Sequence, residues 1–225
     1  MTGLKYPVND YYSTVQGEGV LTGVPMMLLR LHGCPVGCPF CDTKETWEVR
    51  DDDVVGTFEA IRGANPKWIK AEASEIAAKL NEERKGEKWV LLTGGEPAML
   101  PLRSLVDWLH KYKFKVAVET SGTAGGMVNA SADWVCVSPK ENMPGGRAIL
   151  PEAVRCADEL KFVIGREDDL GRVKKFLTEY ATKPTVTVCL QPMSQSKKAT
   201  QLCIAAVGEY GWRLSIQMHK YISVR

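Results

Sequence analysis

Three cysteines lie within eight residues of this sequence, and their spacing suggests redox or metal chemistry. Cys34, Cys38 and Cys41 follow the pattern C-x3-C-x2-C, and Phe40 precedes the last of them. Thiolate is the usual protein ligand of iron–sulfur clusters, so these side chains could bind three irons of a cubane cluster. No fourth cysteine lies close in the sequence, so the fourth iron would keep an open position for a small molecule. The spacing therefore indicates a cluster that could act as a catalyst.

A structural zinc site is the alternative interpretation of the same cysteines. His32 or Asp42 could then supply the fourth ligand of a closed tetrahedral set. Structural zinc sites usually consist of two ligand pairs, and the sequence has no second CxxC or HxxxH pair. The spacing favours the cluster, and it leaves the zinc site open.

Two further short motifs could bind a ligand. Gly94-Gly95-Glu96-Pro97 lets a ligand approach the main chain closely, and Glu96 could pair with an ammonium group. Its simpler interpretation is a tight turn into a helix that begins at Pro97. Asp42-Thr43-Lys44 offers oxygen ligands to a hard cation such as Mg²⁺, although it also fits an ordinary polar loop.

The composition is that of an ordinary globular protein. Hydrophobic residues make up 44% and charged residues 25% of the 225 residues. The 29 Lys and Arg nearly balance the 27 Asp and Glu, which does not suggest nucleic-acid binding. We expect neither secretion nor a membrane span, since no apolar leader and no long apolar run is visible. Seven cysteines, three of them clustered, favour a reducing cytoplasm over a disulfide framework.

Short apolar segments alternate with amphipathic ones, which predicts strands alternating with helices and hence a parallel sheet. The predicted strands are 26–31, 89–93, 115–119, 134–138, 160–164, 185–190 and 212–216. The predicted helices are 74–84, 102–111, 170–180 and 199–209. Ser74 is predicted to cap the first helix, and Pro101 to lie just inside the second.

The architecture predicted from these elements is α/β, an incomplete or shortened (β/α) barrel with the cysteine loop after its first strand. A complete eight-unit barrel typically takes about 250 residues, and only seven strands and four helices are visible. The segment 45–73 is charged and interrupts the alternation, so we interpret it as an insertion. Otherwise the whole chain, 1–225, is expected to be one domain.

Polar residues follow four of the predicted strands directly. The carboxyl ends of parallel strands meet at one edge of a sheet, where ligands bind in this class of fold. The strand-end segments are 93–96, 119–122, 138–140 and 191–194, and Arg30 and the three cysteines leave the first strand on the same side. The sequence therefore predicts one pocket that contains the cysteines, an arginine and several hydroxyl groups.

Together these motifs resemble the radical S-adenosylmethionine (SAM) superfamily. The resemblance depends on the cysteine triad with Phe40 and on Gly94–Pro97 one βα unit later. Within that superfamily the chain is similar to the 7-carboxy-7-deazaguanine synthases. The segments that carry this similarity are 16–19, 22–25, 30–31, 41–44, 119–123, 138–140 and 217–221. It covers nearly the whole chain and is weakest across 45–88.

The resemblance implies two cofactors. Cys34, Cys38 and Cys41 would ligate a 4Fe–4S cluster, and SAM would chelate the open iron and be cleaved to a 5′-deoxyadenosyl radical. The residues implied to contact SAM are Phe40, Asp42, Gly95, Glu96, Ser138, Pro139, Lys140, Gln191, Pro192, Met193 and Ser194.

The resemblance also implies the reaction, a carbon–nitrogen lyase step in the 7-deazapurine (queuosine precursor) pathway. The substrate would be 6-carboxy-5,6,7,8-tetrahydropterin, whose ring contracts with loss of ammonia to give 7-carboxy-7-deazaguanine. Arg30 is suited to bind the substrate carboxylate as a bidentate fork. Thr43 would supply an oxygen to Mg²⁺. Substrate contacts are further implied for Val15, Gln16, Gly17 and Thr93.

The implied partners are an external one-electron donor of the flavodoxin or ferredoxin type and a second copy of the chain in a homodimer.

One alternative function is that of a glycyl-radical-enzyme activase, which shares the triad and the Gly94–Pro97 turn and lacks the 16–19 and 41–44 segments. The other is the non-catalytic zinc-binding module. The last residues, 222–225, carry no motif, although they could fold back toward the substrate.

Overall fold

A nine-stranded sheet organises the residues that the computed structural model describes, 3–222. The strands are β1 Lys5–Val15, β2 Pro25–Leu31, β3 Ile69–Glu72, β4 Trp89–Gly94, β5 Lys115–Thr120, β6 Trp134–Val137, β7 Glu159–Ile164, β8 Thr187–Pro192 and β9 Arg213–Leu214. Their order across the sheet is β3-β1-β2-β4-β5-β6-β7-β8-β9. All pairs from β2 to β9 are parallel, whereas β1 is antiparallel to both β2 and β3.

The sheet is mostly parallel and does not close, since β3 and β9 lie at opposite edges. This confirms the prediction of an incomplete barrel. The seven predicted strands correspond to β2 and β4 to β9. Two strands were missed, β1 and β3, because Asn9, Asp10 and flanking polar residues break the apolar pattern of β1 and because β3 has only four residues.

Within residues 3–222, six helices accompany the sheet: α1 Ala73–Glu83, α2 Arg103–Lys111, α3 Pro151–Cys156, α4 Glu167–Glu179, α5 Lys197–Tyr210 and α6 His219–Ile222. The four predicted helices are α1, α2, α4 and α5. The predicted cap of α1 was wrong, because the N-cap is Glu72. The Glu72 side chain accepts a hydrogen bond from the backbone N–H of Glu75, and the Glu75 side chain accepts one from the backbone N–H of Glu72. Ser74 therefore lies inside the helix. Pro101 precedes α2, which begins at Arg103.

The segment 45–73 was interpreted as an insertion, and the structure corrects its last part. Residues 69–72 are β3, which pairs with β1 at the edge of the sheet. The rest contains three short 3-10 helices, Lys44–Thr46, Asp51–Asp53 and Glu59–Ile61. The backbone N–H groups of Gly33 and Cys34 donate to the carbonyls of Thr46 and Trp47, at 2.7 and 3.1 Å. The start of this segment thus supports the cysteine loop.

The main core lies between the helices and one face of the sheet. Apolar side chains at alternating strand positions, such as Leu29, Leu92 and Val118, are fully buried in it. A smaller apolar cluster around Met26, Leu28 and Leu91 covers part of the other face. None of the helices within residues 3–222 is long and apolar enough to cross a membrane. Three residues of the C-terminal segment discussed above, 223–225, lie outside the described residues.

Candidate active site

A pocket of about 270 Å³ opens at the carboxyl ends of the parallel strands. Most of the predicted site residues line it, namely Arg30, Cys34, Cys38, Phe40, Cys41, Asp42, Thr43, Thr93, Gly95, Glu96, Ser138, Lys140, Gln191, Pro192, Met193 and Ser194. The predicted residues outside this lining are Val15, Gln16, Gly17 and Pro139. Gln16 lines a small cavity next to the pocket, together with Glu18 and Glu119.

The cysteine loop turns tightly so that all three thiols reach the pocket. The backbone N–H of Cys41 donates to the carbonyl of Cys38 at 3.0 Å. Sγ of Cys41 accepts hydrogen bonds from the backbone N–H of Thr43 and from Nε1 of Trp47, both at 3.4 Å. Burial raises the pKa of Cys34 to about 11 and also raises the pKa of Cys38. These thiols are therefore protonated at neutral pH until a metal displaces their protons.

The two glycines after β4 allow two loops to approach each other closely. The N–H groups of Gly95 and Glu96 donate to the carbonyls of Leu31 and Gly33, at 2.8 and 2.9 Å. A Cβ on Gly95 would lie 2.3 Å from the carbonyl oxygen of Gly33, and Gly94 has a positive φ of 118°. The glycine pair thus joins the end of β4 to the residue that precedes Cys34.

Glu96 is 4% exposed, and its carboxylate is held by three protein donors. Oε1 accepts from the N–H of Ala98 at 3.0 Å and from the hydroxyl of Thr120 at 2.6 Å, and Oε2 accepts from the N–H of Ser121 at 2.7 Å. The turn interpretation is also correct, since a short 3-10 helix, Pro97–Met99, begins here. These bonds fix the orientation of the Glu96 carboxylate, and Glu96 lines the pocket.

Three charged side chains on one wall of the pocket were missed from the predicted site. Nζ of Lys161 donates to Oε2 of Glu18 at 2.6 Å and to Oε1 of Glu119 at 3.3 Å, and all three residues line the pocket. We call Glu18, Lys161 and Glu119 the acidic trio. Glu119 and Glu18 lie in sequence segments already identified as motifs. Lys161 had no such signal, because it lies within an apolar strand.

Arg30, Thr93 and Glu119 form a row across the neighbouring strands β2, β4 and β5. Arg30 and Glu119 are the two ends of this row. Arg30 and Thr93 are paired positions of β2 and β4, and the Thr93 hydroxyl donates to Oε2 of Glu119 at 3.3 Å. Nη2 of Arg30 donates to the hydroxyl of Tyr12 at 3.3 Å. The pocket therefore has a cationic group at one end of this row and carboxylates at the other.

The C-terminal segment forms a further wall of the pocket. The carbonyl of Gly17 accepts from the N–H of Met218 at 2.8 Å, and a Cβ on Gly17 would lie 2.4 Å from Nδ1 of His219. Gln217 and Lys220 line the pocket, and Nε2 of Gln217 donates to Oε1 of Glu18 at 2.9 Å. Gly17 therefore has a structural reason to be glycine, which is contact with α6.

The chain matches the Radical SAM superfamily over residues 28–141. It is 40% identical to the 7-carboxy-7-deazaguanine synthase of Escherichia coli (strain K12) over 98% of this chain and 100% of the relative. It is 34% identical to the 7-carboxy-7-deazaguanine synthase of Buchnera aphidicola subsp. Schizaphis graminum (strain Sg), with 98% and 99% covered.

A solved structure agrees with the sequence comparison. The crystal structure of QueE from Escherichia coli superimposes with a TM-score of 0.89 at 40% identity, covering 96% of this chain and 95% of that one. The chain belongs to the 7-carboxy-7-deazaguanine synthase family. This family is a branch of the radical SAM superfamily, whose enzymes use a 4Fe–4S cluster and SAM. Membership excludes the activase and the zinc-binding module as descriptions of the chain.

The donors present in the pocket fit the cofactors of this synthase family. Three free thiols line one pocket, which suits a cluster that takes each thiolate on a different iron. Within residues 3–222, no group of three or more His, Cys, Asp or Glu side chains is placed around a point that would hold a single metal ion. Glu96 and the loop residues after β6 and β8 line the same pocket and supply acceptors and donors for SAM.

Proposed function

We propose that this enzyme converts 6-carboxy-5,6,7,8-tetrahydropterin into 7-carboxy-7-deazaguanine, with ring contraction and loss of ammonia. The observation that carries the proposal is that Cys34, Cys38 and Cys41 share one pocket with Arg30 and the acidic trio. Such a pocket joins the ligands of a radical-forming cluster to groups that can bind an anionic, nitrogen-rich ring. The names of relatives that match over nearly their whole length support the same reaction. We propose that the full chain acts as one radical SAM domain.

We propose that Cys34, Cys38 and Cys41 hold the cluster and that the other predicted contacts hold SAM. When bound, the two cofactors supply a 5′-deoxyadenosyl radical that abstracts a hydrogen atom. Lys140 is well placed for the SAM side, because its ammonium lies 5.0 Å from the ring centroid of Phe40. The proposed SAM contacts that line the pocket are Phe40, Asp42, Gly95, Glu96, Ser138, Lys140 and the segment 191–194.

We propose that the substrate carboxylate binds Arg30, whose planar fork matches two carboxylate oxygens. The ring would then extend along the row toward Thr93 and Glu119. Gln16 supports this wall, since its Nε2 donates to Oε1 of Glu119 at 3.3 Å. Val15 ends β1 and Gly17 follows Gln16, and neither is in the lining. For these two residues we propose that their backbone supports the wall at Gln16.

We propose that Thr43 binds Mg²⁺ together with the substrate. Its hydroxyl lies 3.6 Å from Sγ of Cys41, and both residues line the pocket. A cation at this hydroxyl would therefore lie next to the cluster ligands. Mg²⁺ commonly combines one or two protein oxygens with substrate oxygens, which suits a single threonine and a substrate carboxylate.

We further propose an external one-electron donor of the flavodoxin or ferredoxin type, a homodimeric assembly and a cytoplasmic location. The proposed cleavage of SAM takes one electron into the cluster, which the external donor would supply. All seven cysteines are free thiols, which suits a reducing compartment.

The test is an anaerobic assay on protein reconstituted with iron and sulfide. SAM, a reductant and 6-carboxy-5,6,7,8-tetrahydropterin are supplied, and 5′-deoxyadenosine and 7-carboxy-7-deazaguanine are both quantified. The expected result is formation of the deazapurine by the wild type and not by a Cys41→Ala variant. Formation of 5′-deoxyadenosine at the background rate, without any deazapurine, would refute the substrate assignment.

A further inference from the structure

Lys161 is buried between two carboxylates, and burying its ammonium group costs desolvation free energy. A functional role would explain why a lysine is found here. The side chain of Lys161 is 6% exposed, compared with 17% for Glu18 and 26% for Glu119. Lysine is rarely buried to this degree unless its charge is paired. An apolar residue would fill the same space on β7 without any desolvation cost. The chain nevertheless places an ammonium group here, against the wall of the pocket.

The acidic trio carries two negative charges and one positive charge. Burial alone would lower the pKa of Lys161, but the carboxylates of Glu119 and Glu18 outweigh burial and raise it well above its usual value. Burial likewise raises the pKa of Glu18, and the charge of Lys161 and its hydrogen bond outweigh this and lower the pKa to about 2. Lys161 and Glu18 thus each stabilise the ionised form of the other.

Both carboxylates keep acceptor capacity toward the pocket. Oε2 of Glu119 accepts from Thr93 at 3.3 Å, and Oε1 of Glu18 accepts from Gln217 at 2.9 Å. An ionised carboxylate has about four acceptor positions, so one neutral donor on an oxygen leaves room for a ligand. The amino-pyrimidinone edge of a pterin presents N–H donors, which pair best with ionised acceptors.

We propose that Lys161 is a positioning residue for the substrate, whose two hydrogen bonds hold the carboxylates of Glu18 and Glu119 where they accept the N–H donors of the pterin ring. This inference rests on the proposed pterin substrate. Without Lys161, Glu18 would lose the charge and the hydrogen bond that lower its pKa, while burial would still raise it and favour the protonated carboxyl. A protonated carboxyl is a donor, and it would oppose the N–H groups of the ring.

Other titratable groups face the acidic trio from the elements packed around it. They are His219 on α6, Lys140 in the loop after β6, Cys136 on β6, Glu159 on β7 and Cys189 on β8. All five are present in both the wild type and a Lys161 variant. A difference between the two pH profiles therefore reports on Lys161.

The experiment measures equilibrium binding of 6-carboxy-5,6,7,8-tetrahydropterin to anaerobic, cluster-loaded and SAM-loaded protein without reductant, from pH 6.5 to 9.5. For Lys161→Met we expect binding about 10- to 100-fold weaker at pH 7, the equivalent of a lost charged hydrogen bond. The difference should shrink as pH rises, because the Glu18 carboxyl, whose pKa Lys161 no longer lowers, then ionises. Lys183→Met removes a lysine that pairs with Asp158 at 2.6 Å, and it should bind like the wild type.

A second variant separates positioning from direct contact and covers the case that Lys161→Met does not fold. Glu18→Gln combined with Lys161→Met removes the carboxyl group whose ionisation depends on Lys161, so it should bind within about tenfold of Glu18→Gln alone, with a flat pH profile. Wild-type binding by Lys161→Met, or a strong pH dependence in the double variant, would overturn the role of Lys161. Failure of the wild type itself to bind the pterin would instead overturn the proposed function.

Discussion

Nε1–H of Trp47 donates a hydrogen bond to Sγ of Cys41 across 3.4 Å. Trp47 follows Cys41 by six residues and lines the same pocket. The two residues are connected by a short 3-10 helix, Lys44–Thr46, which turns the indole back toward the sulfur. Hydrogen bonds to ligand sulfurs raise the reduction potential of a cluster, because they stabilise the added negative charge of its reduced form. Trp47 is therefore placed to tune the cluster.

We expect Trp47→Phe to lower the midpoint potential of the cluster, since phenylalanine keeps the ring and lacks the N–H group. The measurement is an anaerobic redox titration of the reconstituted protein, followed by absorbance or electron paramagnetic resonance. Trp68→Phe is a matched control, because the indole of Trp68 donates to the carbonyl of Arg50 at 3.2 Å instead of to a cysteine. Equal potentials in the wild type and Trp47→Phe would show that the bond has no effect on the cluster.

Gly95→Ala should destabilise the fold and reduce cluster incorporation together. The new Cβ would lie 2.3 Å from the carbonyl oxygen of Gly33, so the backbone before Cys34 must move. Overpacking of this kind typically costs about 1–3 kcal/mol. The measurements are the thermal midpoint of the protein and its iron content after reconstitution.

We expect the opposite change in thermal stability for alanine at Gly171, which is exposed in α4 and has open space around its Cα. Alanine is favoured over glycine inside a helix by about 1 kcal/mol, so Gly171→Ala should raise the thermal midpoint and leave the iron content unchanged. A Gly95→Ala protein with wild-type stability and iron content would contradict the close approach of the two loops.

Acid should weaken the fold through Glu87, which lies far from the cysteine loop in sequence. Burial raises its pKa, but hydrogen bonds from Ser13 and from the N–H groups of Lys85 and Gly86 outweigh burial and lower the pKa to about 2, from a usual value of 4.5. A lowered pKa means that the stabilisation is complete above pH 4.5 and is lost as pH falls toward 2.

We therefore expect Glu87→Gln to be less stable than the wild type by about 1–3 kcal/mol at pH 7, and this difference should vanish between pH 4.5 and pH 2. Urea unfolding at a series of pH values measures it. Glu82→Gln is the control, because Glu82 is exposed and its pairing with Lys79 should matter little. A difference that is independent of pH would rule out ionisation of Glu87 as its cause.

Arg30→Lys tests the proposed binding of the substrate carboxylate to Arg30. Lysine keeps the charge and loses the planar fork, so we expect the KM for the pterin to rise about 10- to 100-fold while the KM for SAM changes little. Arg103→Lys, at an exposed pair with Asp107 on α2, should alter neither constant. If both KM values rose equally in Arg30→Lys, Arg30 would be a general support of the pocket and not a substrate ligand.

The strands that hold the pocket could be predicted from sequence because each is a continuous apolar run. The strand 89–94 is buried on both faces, so its hydrophobicity alone identifies it. β1 could not be found in this way, because it carries buried polar side chains. Nδ2 of Asn9 donates to the carbonyl of Lys67 at 3.0 Å, a partner 58 residues away. Such a contact is invisible before the chain is folded.

Among the pocket residues, too, those in local sequence motifs could be predicted, whereas those that depend on contacts distant in sequence could not. Strand-end motifs identified Thr93 and Ser138, because parallel topology brings strand ends together. Pro139 was included with them, yet it does not line the pocket, whereas its neighbours Ser138 and Lys140 do. Lys161 was missed because its burial beside Glu18 depends on a pairing across 143 residues.

Thr43→Ala should abolish the response of the enzyme to Mg²⁺ while leaving the cluster intact. Alanine lacks the hydroxyl proposed to bind the cation, but the backbone N–H at this position would still donate to Sγ of Cys41. The carbonyl of Thr43, which accepts from the hydroxyl of Thr46 at 2.8 Å, is likewise retained. Iron content and cluster absorbance should therefore match the wild type. The rate of deazapurine formation should become independent of added Mg²⁺ and fall to the metal-free level. Thr43→Ser restores the hydroxyl and should restore the Mg²⁺ response, so a Thr43→Ala protein that keeps the full response would remove Thr43 from the metal site.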